Sequence, residues 1–124
     1  MDYLSVAIGG FLGSIARFLA GMSFLARRKS SIPLSIAAIN IAGCFLLGLV
    51  LPFLEGSGQH FILFASAGFL GSFTTMSTFS LEAAQLLREN NLKGFVLYII
   101  LSLGGSLLAF SIGRMIGMYL SKIL

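Results

Sequence analysis

The residues able to do chemistry are few and mostly neutral. The densest group is Ser72-Phe73-Thr74-Thr75-Met76-Ser77-Thr78-Phe79-Ser80, in which six of nine side chains carry hydroxyls. A hydroxyl both donates and accepts hydrogen bonds, and inside a helix it bonds the carbonyl one turn back and bends the axis. Asn40, between Ile39 and Ile41, adds an amide with two donor hydrogens and an acceptor. Tyr98, Ser102 and Ser106 recur at i, i+4 and i+8, a hydroxyl stripe on one helical face. Met76 and Phe79 are three apart and share a face. Aromatic ring edges are positively polarised, so a ring edge among neutral donors suits a small anion that has given up its water. Interhelical hydrogen bonding and ordinary packing account for the same residue types, and both readings stand at this point.

What is absent narrows the chemistry further. The carboxylates are Asp2, Glu55, Glu82 and Glu89, and there is one histidine, His60, and one cysteine, Cys44. Nucleophilic or acid–base catalysis needs a dyad or a carboxylate pair, and these residues are scattered, so no enzyme is expected. A site of His, Cys and carboxylate ligands needs three or four of them, and none is expected here. One cysteine excludes an intrachain disulfide, and Cys44 reads as a small buried residue in an apolar run. No phosphate-binding loop is present. The eight basic residues and net charge of +4 mostly flank apolar runs, which points to membrane topology and headgroup contact rather than nucleic acid.

The elements that must position these groups follow from the hydrophobicity. Of 124 residues, 57% are hydrophobic and 10% charged, with mean hydropathy +1.01, against about 25% charged in a soluble domain. A bilayer span needs about 20 apolar residues, so the expected fold is an all-α integral membrane protein of four transmembrane helices. The spans are expected at about 4–26, 33–54, 61–87 and 95–120 within one transmembrane domain, 1–124, with no room for another. The first run lacks a basic leader and is too long for a signal-peptide core, so it reads as a retained span. Arg27-Arg28-Lys29-Ser30-Ser31 forms a basic loop, Pro33 suits a first helical position, Glu55 to His60 a turn, and Arg88-Glu89-Asn90-Asn91 a helix stop. Gly9 with Gly13, and Gly113 with Gly117, make small-x-x-x-small patterns that let helices approach closely.

Polar groups within spans are costly and tend to be functional. Arg17 stands near mid-membrane, where an arginine costs about 2.5–3.5 kcal/mol on insertion scales. It reads either as an anion-attracting charge or as a structural residue. Gly71 and the Thr74-Thr75 pair mark a break in the third helix near mid-membrane. Non-helical backbone at that depth must be buried in protein or line a cavity, and freed carbonyls are ligands for a hard cation such as Na⁺.

Along essentially its whole length the chain resembles the Fluc (CrcB) family of fluoride channels. The matching words are Gly9-Gly10-x-x-Gly13-x-x-x-Arg17-Phe18, Asn40-x-x-Gly43-x-x-x-x-Gly48 and, most specific, Gly68-Phe-x-Gly71-x-x-Thr74-Thr75-x-Ser77-Thr78-Phe79. The resemblance implies an antiparallel dimer with two fluoride pores and a structural Na⁺ at the dimer centre. That ion would be held by backbone carbonyls that map to Gly71 and Thr74. It implies a fluoride pathway of Asn40, Met76, Ser77, Thr78, Phe79, Tyr98 and Ser106, with Arg17 in an electrostatic or structural role. Met76 stands where the family usually has Phe, Ile36 where Thr is common, and Ser72 and Phe73 replace small or aliphatic residues.

The function expected is passive, fluoride-selective export of cytoplasmic fluoride across the cell membrane. The rival readings are a small proton-coupled multidrug exporter and a non-conducting partner subunit of a heteromeric fluoride channel. The exporter needs a membrane-embedded carboxylate for proton exchange, and Glu82, late in span three, is the one at hand. Loops after the first and third spans hold five basic residues against one or two on the other side. That leans toward one orientation and keeps a paired heteromer beside the dual-topology homodimer.

Overall fold

The computed structural model describes residues 2–25 and 34–124. The basic loop and Pro33 lie outside the described residues. Helix α1 spans Asp2–Leu25 and begins with an acidic residue in its first turn, where the helix dipole favours negative charge. Helix α2 spans Leu34–Leu54 and keeps Pro52 inside it, two residues before its end. The chain then turns through Gly56, whose φ of 96° is open to glycine at no steric cost.

The third apolar run folds as four pieces. A short α3, Gln59–Leu63, passes into a π-helical segment, Phe64–Leu70, then into α4, Gly71–Phe73; after Thr74 and Thr75 the chain resumes as α5, Met76–Arg88. Sequence reading anticipated one break here and not the π-helical stretch, a form frequent at functional sites. The Ser66 hydroxyl donates to the Ile62 carbonyl at 2.6 Å, the back-bonding that distorts helices. A β-carbon at Gly68 would lie 2.8 Å from the Val6 oxygen and 3.0 Å from the Gly9 Cα. The π-helical backbone therefore rests directly on α1, and only glycine permits it.

The stop after α5 is made by its own residues. Asn90 takes φ 56°, its N–H bonds the Leu87 carbonyl at 3.1 Å, and the Asn91 N–H bonds that of Leu86 at 3.0 Å. This is a Schellman closure with asparagine in the left-handed position. The Asn91 side chain then accepts from the Gly94 N–H at 2.9 Å and caps α6, Leu92–Ile123. At 1.5 Å per residue α6 is about 48 Å long, longer than a hydrocarbon core of about 30 Å.

Helix α6 packs along α2, and α1 packs along the π-helical segment and α4. At the α2–α6 crossing a β-carbon on Gly113 would come within 3.1 Å of the Leu49 nitrogen, the close approach that small residues permit between membrane helices. The core is small: Ile36, Ala37, Ile39, Phe79, Ala83, Leu86 and Tyr98, with Phe73, Phe95 and Ile99 against it. Outside it, Phe11, Phe18, Leu107, Leu108 and Met115 are exposed. An apolar exterior is natural for a chain whose solvent is lipid. Four stretches are long and apolar enough to cross a membrane: Asp2–Ala20, Ile36–Leu54, Gln59–Arg88 and Leu92–Ile123. The chain is a multi-pass, all-helical membrane protein with one broken helix, and the described residues contain no strand.

Candidate functional site

The site is built around the break. Thr74 and Thr75 are extended, with φ/ψ of −80°/157° and −145°/121°, so the third-helix backbone bonds stop there. Asn40 on α2 takes over: its Oδ1 accepts from the Thr75 N–H at 2.9 Å, and its Nδ2 donates to the Thr75 carbonyl at 3.1 Å. The amide mimics a neighbouring strand and fastens the broken segment. An amide nitrogen has two hydrogens, so one donor of Asn40 remains for the cleft it lines. Sequence reading gave Asn40 either an interhelical hydrogen bond or an exposed donor; the geometry accommodates both at once.

The hydroxyls of 72–80 divide their work. Ser72 donates to the Gly10 carbonyl at 2.8 Å and meets the Ser14 hydroxyl, so it joins α4 to α1. Thr74 turns back on the Leu70 and Gly71 carbonyls at 3.3 and 3.4 Å. Thr75, 7% exposed, caps α5 by accepting from the Thr78 N–H at 3.3 Å. Its hydroxyl also lies 3.3 Å from that of Ser77 and 3.2 Å from that of Thr78. Ser77 and Ser80 are exposed.

A cleft of about 230 Å³ opens beside the break, lined by Asn40, Cys44, Thr74, Thr75, Met76, Phe79, Ser102, Leu103 and Ser106. No lining residue carries a charge. Of the residues singled out from sequence, Asn40, Thr74, Met76, Phe79 and Ser106 meet here. Met76, the first residue of α5, is 67% exposed. Ser77 and Thr78 sit one step behind, bonded to Thr75. Tyr98 does not line the cleft: it is fully buried, stacks on Phe79 with ring centroids 5.1 Å apart, and donates its hydroxyl hydrogen to Glu82 at 2.7 Å. Arg17 is half-buried on α1 and is not among the lining residues.

Two residues emerge that sequence reading left out of the site. Thr75 is its hinge, and the signal was there in a threonine three residues before another at the start of a helix. Ser102 lines the cleft, is 3% exposed, and its enclosed hydroxyl has no hydrogen-bond partner among the described residues. Ser102 was visible as the middle of the Tyr98–Ser102–Ser106 stripe. Buried polar groups are almost always paired, so this hydroxyl is an exception in the wall of the cleft.

Among the described residues no three His, Cys, Asp or Glu side chains are grouped to hold a metal. Main-chain oxygens are another matter. The Thr75 N–H that would close a helical bond to Gly71 goes to Asn40, and the Thr78 N–H that would reach Thr74 goes to the Thr75 hydroxyl. The Gly71 and Thr74 carbonyls are thereby released from the helix ladder. Hard oxygen donors of this kind fit Na⁺.

The family model for "CrcB-like protein, Camphor Resistance (CrcB)" matches residues 4–114. The chain is 44% identical over 99 residues to the "Fluoride-specific ion channel FluC 2" of Bacillus cereus, covering 80% of this chain and 82% of that protein. It is 39% identical over 120 residues to the "Fluoride-specific ion channel FluC 1" of Halalkalibacterium halodurans, covering 91% and 94%. With the "Fluoride-specific ion channel FluC 2" of Clostridium acetobutylicum it shares 37% over 116 residues, covering 94% and 97%. The break, the asparagine clamp and the neutral cleft are thus the furniture of a chain that belongs to the CrcB family.

Proposed function

We propose that the protein is a passive fluoride-selective channel that lets cytoplasmic fluoride leave across the plasma membrane down its gradient. The observation that carries this reading is an uncharged cleft beside the helix break, lined by Asn40, Phe79, Ser102 and Ser106, in a family whose relatives are named fluoride-specific ion channels. Fluoride is small and holds water tightly, so entry requires donors that replace the lost water. Ser102, Ser106 and the second Asn40 hydrogen supply them, and a hydrogen bond to a charged group contributes about 1.5–3 kcal/mol. Ser77 and Thr78 continue the polar track beyond the cleft. Phe79, held by its stack on Tyr98, offers its polarised ring. Met76 fills the other aromatic position with a thioether of similar bulk and no ring edge. Arg17 biases the field toward anions from α1.

Met76 at the cleft, with Ser77 and Ser80 beside it, is exposed within the third apolar span. Polar groups there need a protein partner, which supports a dimer of two oppositely oriented subunits. Gly71 and Thr74 carbonyls from each would hold a structural Na⁺ that fastens the pair. The partner is a second copy of this chain in the preferred reading. The loop bias of five basic residues against one or two favours the second reading, a homologous subunit of opposite orientation. Expression of this chain alone, followed by fluoride efflux from liposomes, separates them. Efflux supports the homodimer; silence, with rescue by a second homologue, refutes it. Proton-gradient-driven efflux of an organic cation, with no fluoride flux, supports the multidrug exporter through Glu82 instead.

A further inference from the structure

We propose that Glu82 is a positioning residue of the anion path: its carboxyl group tethers Tyr98, and the tethered ring fixes Phe79 in the cleft wall. The assignment to an anion path rests on the channel reading above. Glu82 is half-buried on α5 and Tyr98 is fully buried on α6. Of the three side chains only Phe79 lines the cleft, so Glu82 acts on the path through the two rings. The Tyr98 hydroxyl donates to Glu82 at 2.7 Å, a well-formed O–H···O distance. The Tyr98 ring stacks on Phe79 with centroids 5.1 Å apart and planes 21° from parallel, within the range of attractive ring pairs.

Phe79 and Glu82 are three apart on α5 and share a face. Helix α5 therefore grips Tyr98 at two points, by its ring and by its hydroxyl. One point would leave the ring free to pivot; two fix its plane, and Phe79 cannot turn without displacing a ring pinned at its far end. A buried phenol hydroxyl requires a partner, and Glu82 supplies it. Without the carboxyl group that hydroxyl is left unsatisfied, which favours a ring that swings out of its stack toward water. Phe79 then loses the surface that holds it, and the cleft wall yields. A yielding wall discriminates less between a small halide and a larger one, so the role is read in halide selectivity and not in flux alone. The role requires a hydrogen-bond acceptor and not a negative charge. Glutamine therefore preserves it, whereas proton exchange through Glu82 would need the titratable group.

The test uses the purified full-length chain in liposomes and measures the ratio of fluoride to chloride flux. A second readout is the tyrosine band of the near-UV circular dichroism spectrum, which reports a fixed ring. The chain has no Trp and three Tyr; Tyr3 and Tyr119 are 92% and 68% exposed, and their replacement by Phe leaves Tyr98 as the one reporter. Glu82→Gln is expected to keep the band and hold the ratio within about threefold of wild type. Glu82→Ala is expected to lose the band and lower the ratio about tenfold or more. Tyr98→Phe, which keeps the ring and removes the tether, is expected to lower the ratio as far as Glu82→Ala, and the double variant no further. The proposal is overturned if Glu82→Gln lowers the ratio as far as Glu82→Ala, if the two losses multiply in the double variant, or if Glu82→Ala retains either the ratio or the band. Should Glu82→Ala not be recovered as folded protein, Glu82→Gln against Tyr98→Phe decides by the same ratio. A wild type with no fluoride-selective flux would refute the channel reading, and the dichroism band would still decide whether Glu82 fixes the ring.

Discussion

Replacing Asn40 by Leu tests how the broken helix is held. The substitution keeps the side-chain volume and removes both bonds to the Thr75 backbone, at 2.9 and 3.1 Å. Thr75 is 7% exposed, so water does not readily replace them. Side-chain hydrogen bonds inside membrane proteins average about 0.6 kcal/mol and reach about 1.7, so two contribute about 1.2–3.4 kcal/mol. At roughly 4 °C per kcal/mol for a domain of this size, Tm in detergent falls by about 5–14 °C. Flux falls with it, because the loosened segment carries Met76 and Phe79 into the cleft. Asn40→Asp makes a sharper variant: it still accepts from the Thr75 N–H but adds a negative charge beside the path. At about 4 Å and an effective dielectric of about 20 the repulsion on fluoride is about 4 kcal/mol, close to three powers of ten in occupancy at about 1.4 kcal/mol per tenfold. Thermal unfolding with halide flux is the assay. Asn40→Leu with the wild-type Tm and wild-type flux would refute the clamp.

Three further outcomes follow from the same geometry. Ser102→Ala deletes a buried hydroxyl with no protein partner, so Tm does not fall while fluoride flux drops about tenfold or more; the reverse pattern would assign Ser102 to the fold. Phe79→Ile removes the stack on Tyr98 at 5.1 Å, costs about 0.5–1.5 kcal/mol beyond lost area, and suppresses fluoride flux in a protein that remains monodisperse on a sizing column. Gly48→Leu places a side chain where even a β-carbon would lie 2.8 Å from the Arg114 nitrogen, so no monodisperse protein is recovered, whereas Gly104→Leu, with open space around it, is recovered normally.

Apolar run length made the four helices legible, because hydrocarbon thickness dictates it. Glycines and hydroxyls near 71–75 marked the break, since both weaken a helix by known means. The π-helical stretch was not legible: a back-bonding serine such as Ser66 is common in ordinary helices, and the contact of Phe64–Leu70 with Gly9 and Gly13 on α1 is a tertiary fact. The same holds for Tyr98, grouped by period with Ser102 and Ser106. Its length carries its hydroxyl past the cleft to Glu82, while the two serines stop at the cleft wall. Asn40 was visible as polar in an apolar helix, but its pairing with Thr75 depends on how α2 meets the break. Arg17 stood out by its cost in a membrane, and the fold sets it outside the cleft lining.

Halide-resolved flux from liposomes containing only this purified chain tests the central claim most directly. A path built from neutral hydrogen-bond donors and a polarised ring, narrow enough to demand dehydration, is expected to pass fluoride with no added energy source and to exclude chloride. Chloride flux comparable to fluoride flux would contradict the account.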